Sequence, residues 1–259
     1  TGMQETMVNT VYTYQNDKYI GSDAGLIIYD EYGERVNNEL TDMLSGISVR
    51  HITSDSDGNL WISTYRKYGL VKVSKDGEIV SYGRSNNLPS LSVNCSIELS
   101  SGMIAAGTDD GVAILSKDGV VKYTFTEDDG LLYSHVNCIY QDSDKKIYVG
   151  TDDGGIYVIT LGKDLNIENY TVDSGLNSNV VTSIVEGEQG LWIGTDSGLC
   201  FYNESFRSIS NIEVSNSIYD VLINDGNIWI VGSMGVLCAT EEELLGNQGL
   251  SGRYFNEND

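Results

Sequence analysis

The chain is poor in the residues that most often carry catalysis or staple a small fold. Its 259 residues include two histidines, four cysteines and a single proline, Pro89. His51 and His135 form no H-E-x-x-H pair, and neither a G-x-S-x-G elbow nor a Walker phosphate loop occurs. No catalytic constellation, no metal site and no cofactor are therefore expected. Cys95, Cys138, Cys200 and Cys238 contain no C-x-x-C pair and are too sparse for a disulfide scaffold; Cys95 and Cys138, at the same repeat position, read as small buried core residues. Basic residues are few, 15 Lys and Arg against 38 Asp and Glu, a net charge of −23. A surface of that sign repels phosphate backbones and anionic headgroups, so no nucleic-acid partner is expected, and its simplest role is solubility. No apolar run reaches 18 residues, so nothing reads as a membrane span, and Thr1-Gly2-Met3 lacks the pattern of a signal peptide. A membrane anchor is expected outside this chain.

What is present points to an all-β chain. Hydrophobic residues make up 40%, enough for a large core, and 29 glycines and 17 tyrosines accompany many β-branched residues. A short motif recurs, in which a strand ends on a small residue and a tight turn leads to Gly plus an aliphatic. It reads Tyr-Ile-Gly-Ser (19–22), Trp-Ile-Ser-Thr (61–64), Ala-Ala-Gly-Thr (105–108), Tyr-Val-Gly-Thr (148–151), Trp-Ile-Gly-Thr (192–195) and Ile-Val-Gly-Ser (230–233). The small residues Gly21, Ser63, Gly107, Gly150, Gly194 and Gly232 are 42, 44, 43, 44 and 38 residues apart. That period is the one of propeller blades, each a four-stranded unit that hides its apolar faces only against neighbours. The expected fold is a β-propeller of six visible four-stranded blades, one domain over 1–259, with blades at 7–46, 47–90, 91–134, 135–179, 180–217 and 218–259. In the fifth, Val180–Val185, Leu191–Thr195, Gly198–Tyr202 and Phe206–Ile209 are the four strands. Asp55-Ser56-Asp57-Gly58-Asn59 and Glu186-Gly187-Glu188-Gln189-Gly190 read as hairpin turns with left-handed residues. Glu241–Leu245 is expected to form one helical turn.

The segment Ser174–Val181 running into Gly190-Leu191-Trp192-Ile193-Gly194-Thr195-Asp196-Ser197-Gly198-Leu199, echoed by Asp55–Thr64, resembles the two-component regulator propeller repeat. Such repeats form the extracellular sensor regions of bacterial hybrid histidine kinases and of some membrane-bound diguanylate cyclases. The resemblance implies a seven-bladed propeller outside the cell, ahead of a membrane span and a cytoplasmic output module. This chain would then be a fragment of that ring, with Leu250–Asp259 a last outer strand heading into another repeat; a closed ring of six is the alternative.

Two loop sets at one end of the blades are the expected place for a site. Just inside the first strands lie Asn9, Arg50, Asn94, Asn137, Thr182 and Asp220, a polar ring that either bonds exposed backbone or contacts a ligand. The loops between second and third strands carry Asp23, Asp109, Asp110, Asp152, Asp153 and Asp196, which serve as turn residues or as acceptors for sugar hydroxyls or a hard cation. One loop breaks the pattern. Tyr65-Arg66-Lys67-Tyr68 is longer, aromatic and basic where the others are acidic, so Tyr65 and Tyr68 framing Arg66 would stack on a sugar ring or grip a carboxylate, or simply pair with acidic neighbours. His51 shares the strand position of Cys95 and Cys138 and reads as a core residue. Asp55-x-Asp57-Gly58 begins like a calcium loop, but its glycine falls early and no Glu closes it, leaving a hairpin turn.

Three functions compete. The first is a non-catalytic extracellular or periplasmic sensor that binds a small molecule, with carbohydrate among the candidates, for a membrane kinase or cyclase. The second is a propeller lyase similar to the streptogramin-inactivating enzymes, which use a metal and a histidine, with His135 as base. The third is a protein-interaction disc, including pairing with its own copy as a homodimer.

Overall fold

The computed structural model describes residues 7–162, 165–210, 212, 217–246 and 252–255. The described residues build six sheets, each of four consecutive strands paired antiparallel, the blades of a β-propeller. The chain divides into two compact units, 1–136 and 137–259. Blade 1 (Val8–Tyr14, Asp17–Ser22, Gly25–Tyr29, Arg35–Val36), blade 2 (Val49–Ser54, Leu60–Thr64, Leu70–Val73, Ile79–Tyr82) and blade 3 (Val93–Glu98, Ile104–Thr108, Gly111–Leu115, Val121–Phe125) occupy the first. Blade 4 (Val136–Gln141, Ile147–Thr151, Ile156–Thr160, Asn166–Tyr170) opens at the boundary. Blade 5 (Val181–Glu186, Leu191–Thr195, Gly198–Asn203, Ser205–Ile209) and blade 6 (Ile218–Asn224, Asn227–Gly232, Gly235–Thr240, Arg253–Phe255) follow. The helices are α1 (Glu39–Met43) and, where the sequence reading placed a helical turn, α2 (Glu241–Leu245).

The cores lie between neighbouring blades, as a repeat with two apolar faces requires. In the first unit Leu26 and Ile28 of blade 1 meet Val49, Ile52 and Ile62 of blade 2, and Trp61 and Leu70 of blade 2 meet Val93, Ile104 and Ala106 of blade 3. In the second unit Tyr148 and Val158 of blade 4 meet Ile184, Leu191 and Ile193 of blade 5, while Trp192, Leu199 and Phe201 meet Ile218, Val221 and Ile230 of blade 6. The small residue of the motif marks a close contact with the next blade. A Cβ on Gly21 would stand 2.6 Å from Val49 Cγ1, one on Gly150 would stand 2.7 Å from Val181 Cγ1, and one on Gly194 would stand 2.9 Å from Ile218 Cγ2. Cys95 and Cys200 are buried and unbridged, as core residues should be, and burial pushes the Cys95 thiol up to about 12.

Two sequence expectations need correction. Blade 6 pairs Ile218 with Gly232 and Asp220 with Val231, whereas blade 5 pairs Val181 with Thr195 and Ser183 with Gly194. Val231, not Gly232, therefore occupies the small-residue position, and Trp229 matches Trp192. The other concerns the Glu186–Gly190 hairpin, whose glycines are not left-handed. They are there for space, because a Cβ on Gly187 would stand 2.5 Å from Glu241 Oε1 and one on Gly190 2.3 Å from the Tyr202 carbonyl. The Asp55 hairpin does follow expectation. Gly58 is left-handed at φ +79, and the Asp55 carboxylate accepts from Asp57 N, Asn59 N and Nδ2, and Trp61 Nε1. Those bonds lower its pKa against the opposing pull of burial, and they leave its oxygens committed to the turn. Of Leu250–Asp259 only residues 252–255 are described, and Arg253–Phe255 is the fourth strand of blade 6; Thr1-Gly2-Met3 lies outside the described residues.

Candidate functional site

The polar ring sits on β-bulges. Each first strand carries one residue that skips its partner in the second strand: Asn9, Arg50, Asn94 and Thr182 in blades 1, 2, 3 and 5. In the first unit Asn9 Nδ2 donates to the Val49 carbonyl (3.1 Å), and Asn94 Nδ2 to that of Val136, the unit's last residue (3.0 Å). In the second unit Asn137 Nδ2 donates to Val181 O (3.1 Å) and Thr182 Oγ1 to Ile218 O (2.8 Å). These side chains thus bond the backbone of the next first strand, at residues that are themselves fully buried. Asp220 is misplaced by the sequence reading: the bulged residue of blade 6 is Tyr219, and Asp220 stands one position on, accepting from Ser183 Oγ (2.8 Å) and Val221 N (2.9 Å).

The acidic loops close through threonine rather than aspartate. Thr64, Thr108, Thr151 and Thr195 donate from Oγ1 to the carbonyls of Gly69, Gly111, Gly155 and Gly198, and Ser22 does the same to Gly25. The glycine is obligatory at Gly111, where φ is +119 and a Cβ would stand 2.1 Å from the Phe125 carbonyl. The aspartates are then free for other contacts. Asp109 accepts from Asn94 Nδ2 (3.0 Å), with His135 Nδ1 3.6 Å away, and Asp110 pairs with Arg84 at 3.1 Å. Asp152 and Asp153 are exposed without a side-chain partner among the described residues. No group of three or more His, Cys, Asp or Glu with metal-holding geometry occurs among the described residues.

Blade 2 is different. Its loop has four residues between Thr64 and Gly69, and Arg66 takes a left-handed φ of +71. The loop is anchored by Tyr65 N donating to Ser48 O (2.9 Å) and Arg66 N to Leu91 O (3.2 Å). The Arg66 guanidinium lies over the Tyr65 ring, 4.8 Å from its centroid, and the bulged Arg50 lies over the same ring at 4.8 Å. Arg50 Nη1 is 3.6 Å from Asp23 Oδ1, an oxygen already accepting from Asn9 Nδ2 (2.9 Å) and Ser48 Oγ (2.8 Å). Those two bonds, aided by the Arg50 charge, hold the Asp23 carboxyl below its usual range. Arg50 Nε is buried and has no hydrogen-bond partner. Tyr68 does not frame Arg66: Lys67 covers its ring and it packs against the core between blades 1 and 2. Neither Arg66 nor Lys67 is paired with a carboxylate among the described residues. Sequence reasoning found Arg50, Tyr65 and Arg66 but missed that they meet, because a bulge in one strand and a loop between two others are 15 residues apart.

Residues 43–66, 130–153 and 175–197 match the two component regulator propeller family. The chain carries two-component regulator propeller repeats. A comparison with curated proteins found no match. Among solved structures these propeller repeats are similar to the extracellular domain of the hybrid two component system BT4673 from B. thetaiotaomicron. That likeness has 19% identity, covers 97% of this chain and 36% of that one, and reaches a TM-score of 0.80. Virginiamycin B lyase from Staphylococcus aureus follows with 15% identity, 98% and 86% coverage and a TM-score of 0.75. YCF48 from Cyanidioschyzon merolae has 13% identity, 98% and 87% coverage and a TM-score of 0.69. Identities this low speak to the fold, and the chain spans about a third of the BT4673 domain. No helix among the described residues is long and apolar enough to cross a membrane.

Proposed function

We propose that this propeller is a non-catalytic sensing module, carried on the outer face of a bacterial membrane by a two-component kinase or diguanylate cyclase, and that a small ligand is read at the blade 2 loop. The observation that carries the reading is the Arg50–Tyr65–Arg66 cluster, where, uniquely among the described turns of the repeat, a basic, aromatic loop meets a buried donor without an acceptor, Arg50 Nε. The repeat family and the fold of an extracellular two-component domain support the setting. The test uses cells carrying the full-length protein. Tyr32→Cys, at an exposed turn of blade 1, should react with a membrane-impermeant maleimide in intact cells, and Arg66→Gln should change signalling output severalfold at unchanged protein level. Labelling only after lysis would refute the outer location. Unchanged output from both Arg66→Gln and Tyr65→Ala would refute the site.

A second reading, a lyase, draws on His135. Its exposed imidazole is 3.6 Å from Asp109, which Asn94 holds in place, the arrangement of a base oriented by a carboxylate. Turnover of a streptogramin B lactone, abolished by His135→Ala, would favour it over the sensor; wild-type protein inert toward that substrate would remove it.

A further inference from the structure

We infer that the Arg50–Tyr65–Arg66 cluster takes a small carboxylate, held by guanidinium donors, rather than a neutral sugar stacked on tyrosine. The inference rests on the reading of this loop as the ligand contact and adds the chemical class of what it binds.

Three features of the cluster lead there. A sugar stacks on a tyrosine only over an open ring face, and Tyr65 already has the guanidinium carbons of both Arg50 and Arg66 at 4.8 Å from its centroid. The ring orients the two cations, and a neutral sugar would have to compete with them for it. Tyr68 is no substitute, since it is packed against the core and covered by Lys67.

The donors of the two arginines are under-used. Arg50 Nε is buried without an acceptor, and Arg50 Nη1 stands 3.6 Å from Asp23, beyond hydrogen-bond length. Asp23 has its near oxygen filled by Asn9 and Ser48, so it neutralises Arg50 only in part. The bond from Arg66 Nη2 to Tyr65 OH is long, 3.4 Å. Guanidinium presents planar pairs of donors that match a carboxylate two to two; the Arg50 side chain is 34% exposed and Arg66 is exposed, so their terminal donors, and not the buried Nε, are what a free carboxylate would engage.

The charge around the cluster is also unusual. The chain has a net charge of −23, and the turns at the same position in other blades carry Asp23, Asp109, Asp110, Asp152, Asp153 and Asp196. Against that background two arginines on one ring, with a single carboxylate, Asp23, beside Arg50, form a local cationic spot. Such a spot, flanked in the first unit by Asp23 of blade 1 and by Asp109 and Asp110 of blade 3, favours a small anion over an extended polyanion that must also meet those carboxylates.

The test is calorimetric titration of the chain, at fixed salt and pH 7, with succinate, with glucuronate and with glucose. The carboxylates should bind and glucose should not. Arg66→Gln and Arg50→Gln should each weaken succinate at least tenfold, while Tyr65→Phe should keep most of the affinity. Arg84→Gln, which removes a cation paired with Asp110 on the same side of the first unit, should leave it within twofold and so separate local donation from general attraction. Glucose binding as tightly as glucuronate, lost on Tyr65→Ala, would overturn the carboxylate class and keep the loop as the ligand contact. Carboxylate binding that Arg66→Gln and Arg50→Gln do not alter, or no binding of any probe, would overturn the inference; if the signalling output also ignored both Arg66→Gln and Tyr65→Ala, the site itself would fall.

Discussion

Blades 5 and 6 are built to the same pairing plan and differ in what lies against them. The second strand of blade 5, Leu191–Thr195, is buried at every residue, whereas that of blade 6, Asn227–Gly232, is fully buried only at alternate residues. Trp192 is wholly buried; its counterpart Trp229 is half-buried and stacks on Phe255 at 6.1 Å, with Leu222 exposed nearby in the sheet. The small-residue position follows suit. Gly194 faces Ile218 of blade 6, while blade 6 itself has Val231 there. The glycine of this repeat is therefore set by the facing blade, and the strand that carries it has no need of it.

Placing a side chain where a blade presses should have the largest effect. Gly150→Val would drive its methyls into Cys138 and Val181, and it should cost about 3 kcal/mol in denaturant unfolding. A loss below about 1 kcal/mol would mean that the blades separate easily and would break the comparison. An effect of similar size is expected from pH at His51, which stands where blades 3 and 4 have Cys95 and Cys138. Burial pushes its pKa down to about 4 from 6.5, so the folded chain binds fewer protons than the unfolded chain between those values. Stability from this residue is complete above pH 6.5 and lost as pH falls to 4, by about 3 kcal/mol in all. His51→Cys should flatten that part of the pH profile; an unchanged slope would show that other groups cause it.

The two buried tryptophans offer a finer contrast. Trp61 gives its Nε1 hydrogen to Asp55 of its own hairpin, whereas Trp192 gives it to Glu241 of α2, which also accepts from Glu188 N and Gln189 N. Glu241→Ala should leave three donors without their acceptor and cost about 2 kcal/mol. If it costs under 0.5 kcal/mol, water replaces the carboxylate, and the polar link between blades 5 and 6 rests on other bonds, those of Thr182 and Ser183 among them. The smallest effect should come from Val231→Ala, below about 1 kcal/mol because its face is only partly buried. A larger loss would mean that this face is covered in solution.

The blade rhythm was legible because turns and close contacts repeat. Each Gly-aliphatic pair uses a glycine at positive φ, and the contacts at Gly21, Gly107, Gly150 and Gly194 need a missing Cβ; both demands are local enough to leave a spelling in the sequence. The misreading in blade 6 has the same origin. Val231 is only partly buried, so the expected glycine is absent, and Gly232, one residue on, imitates it; Trp229 carried the true register. The site was half legible. The oddness of Tyr65–Tyr68 and the polarity of Arg50 could be seen, but the bulge that turns Arg50 onto Tyr65 and the burial that leaves its Nε without an acceptor depend on three-dimensional packing.

The claim that a facing side chain dictates the glycine is tested most directly by a double-mutant cycle between Gly194 and Ile218, followed by denaturant unfolding. Gly194→Val should cost much less in an Ile218→Ala background than alone, with a coupling of at least about 1 kcal/mol. Strictly additive losses would contradict the account, because they would locate the need for glycine in the strand itself.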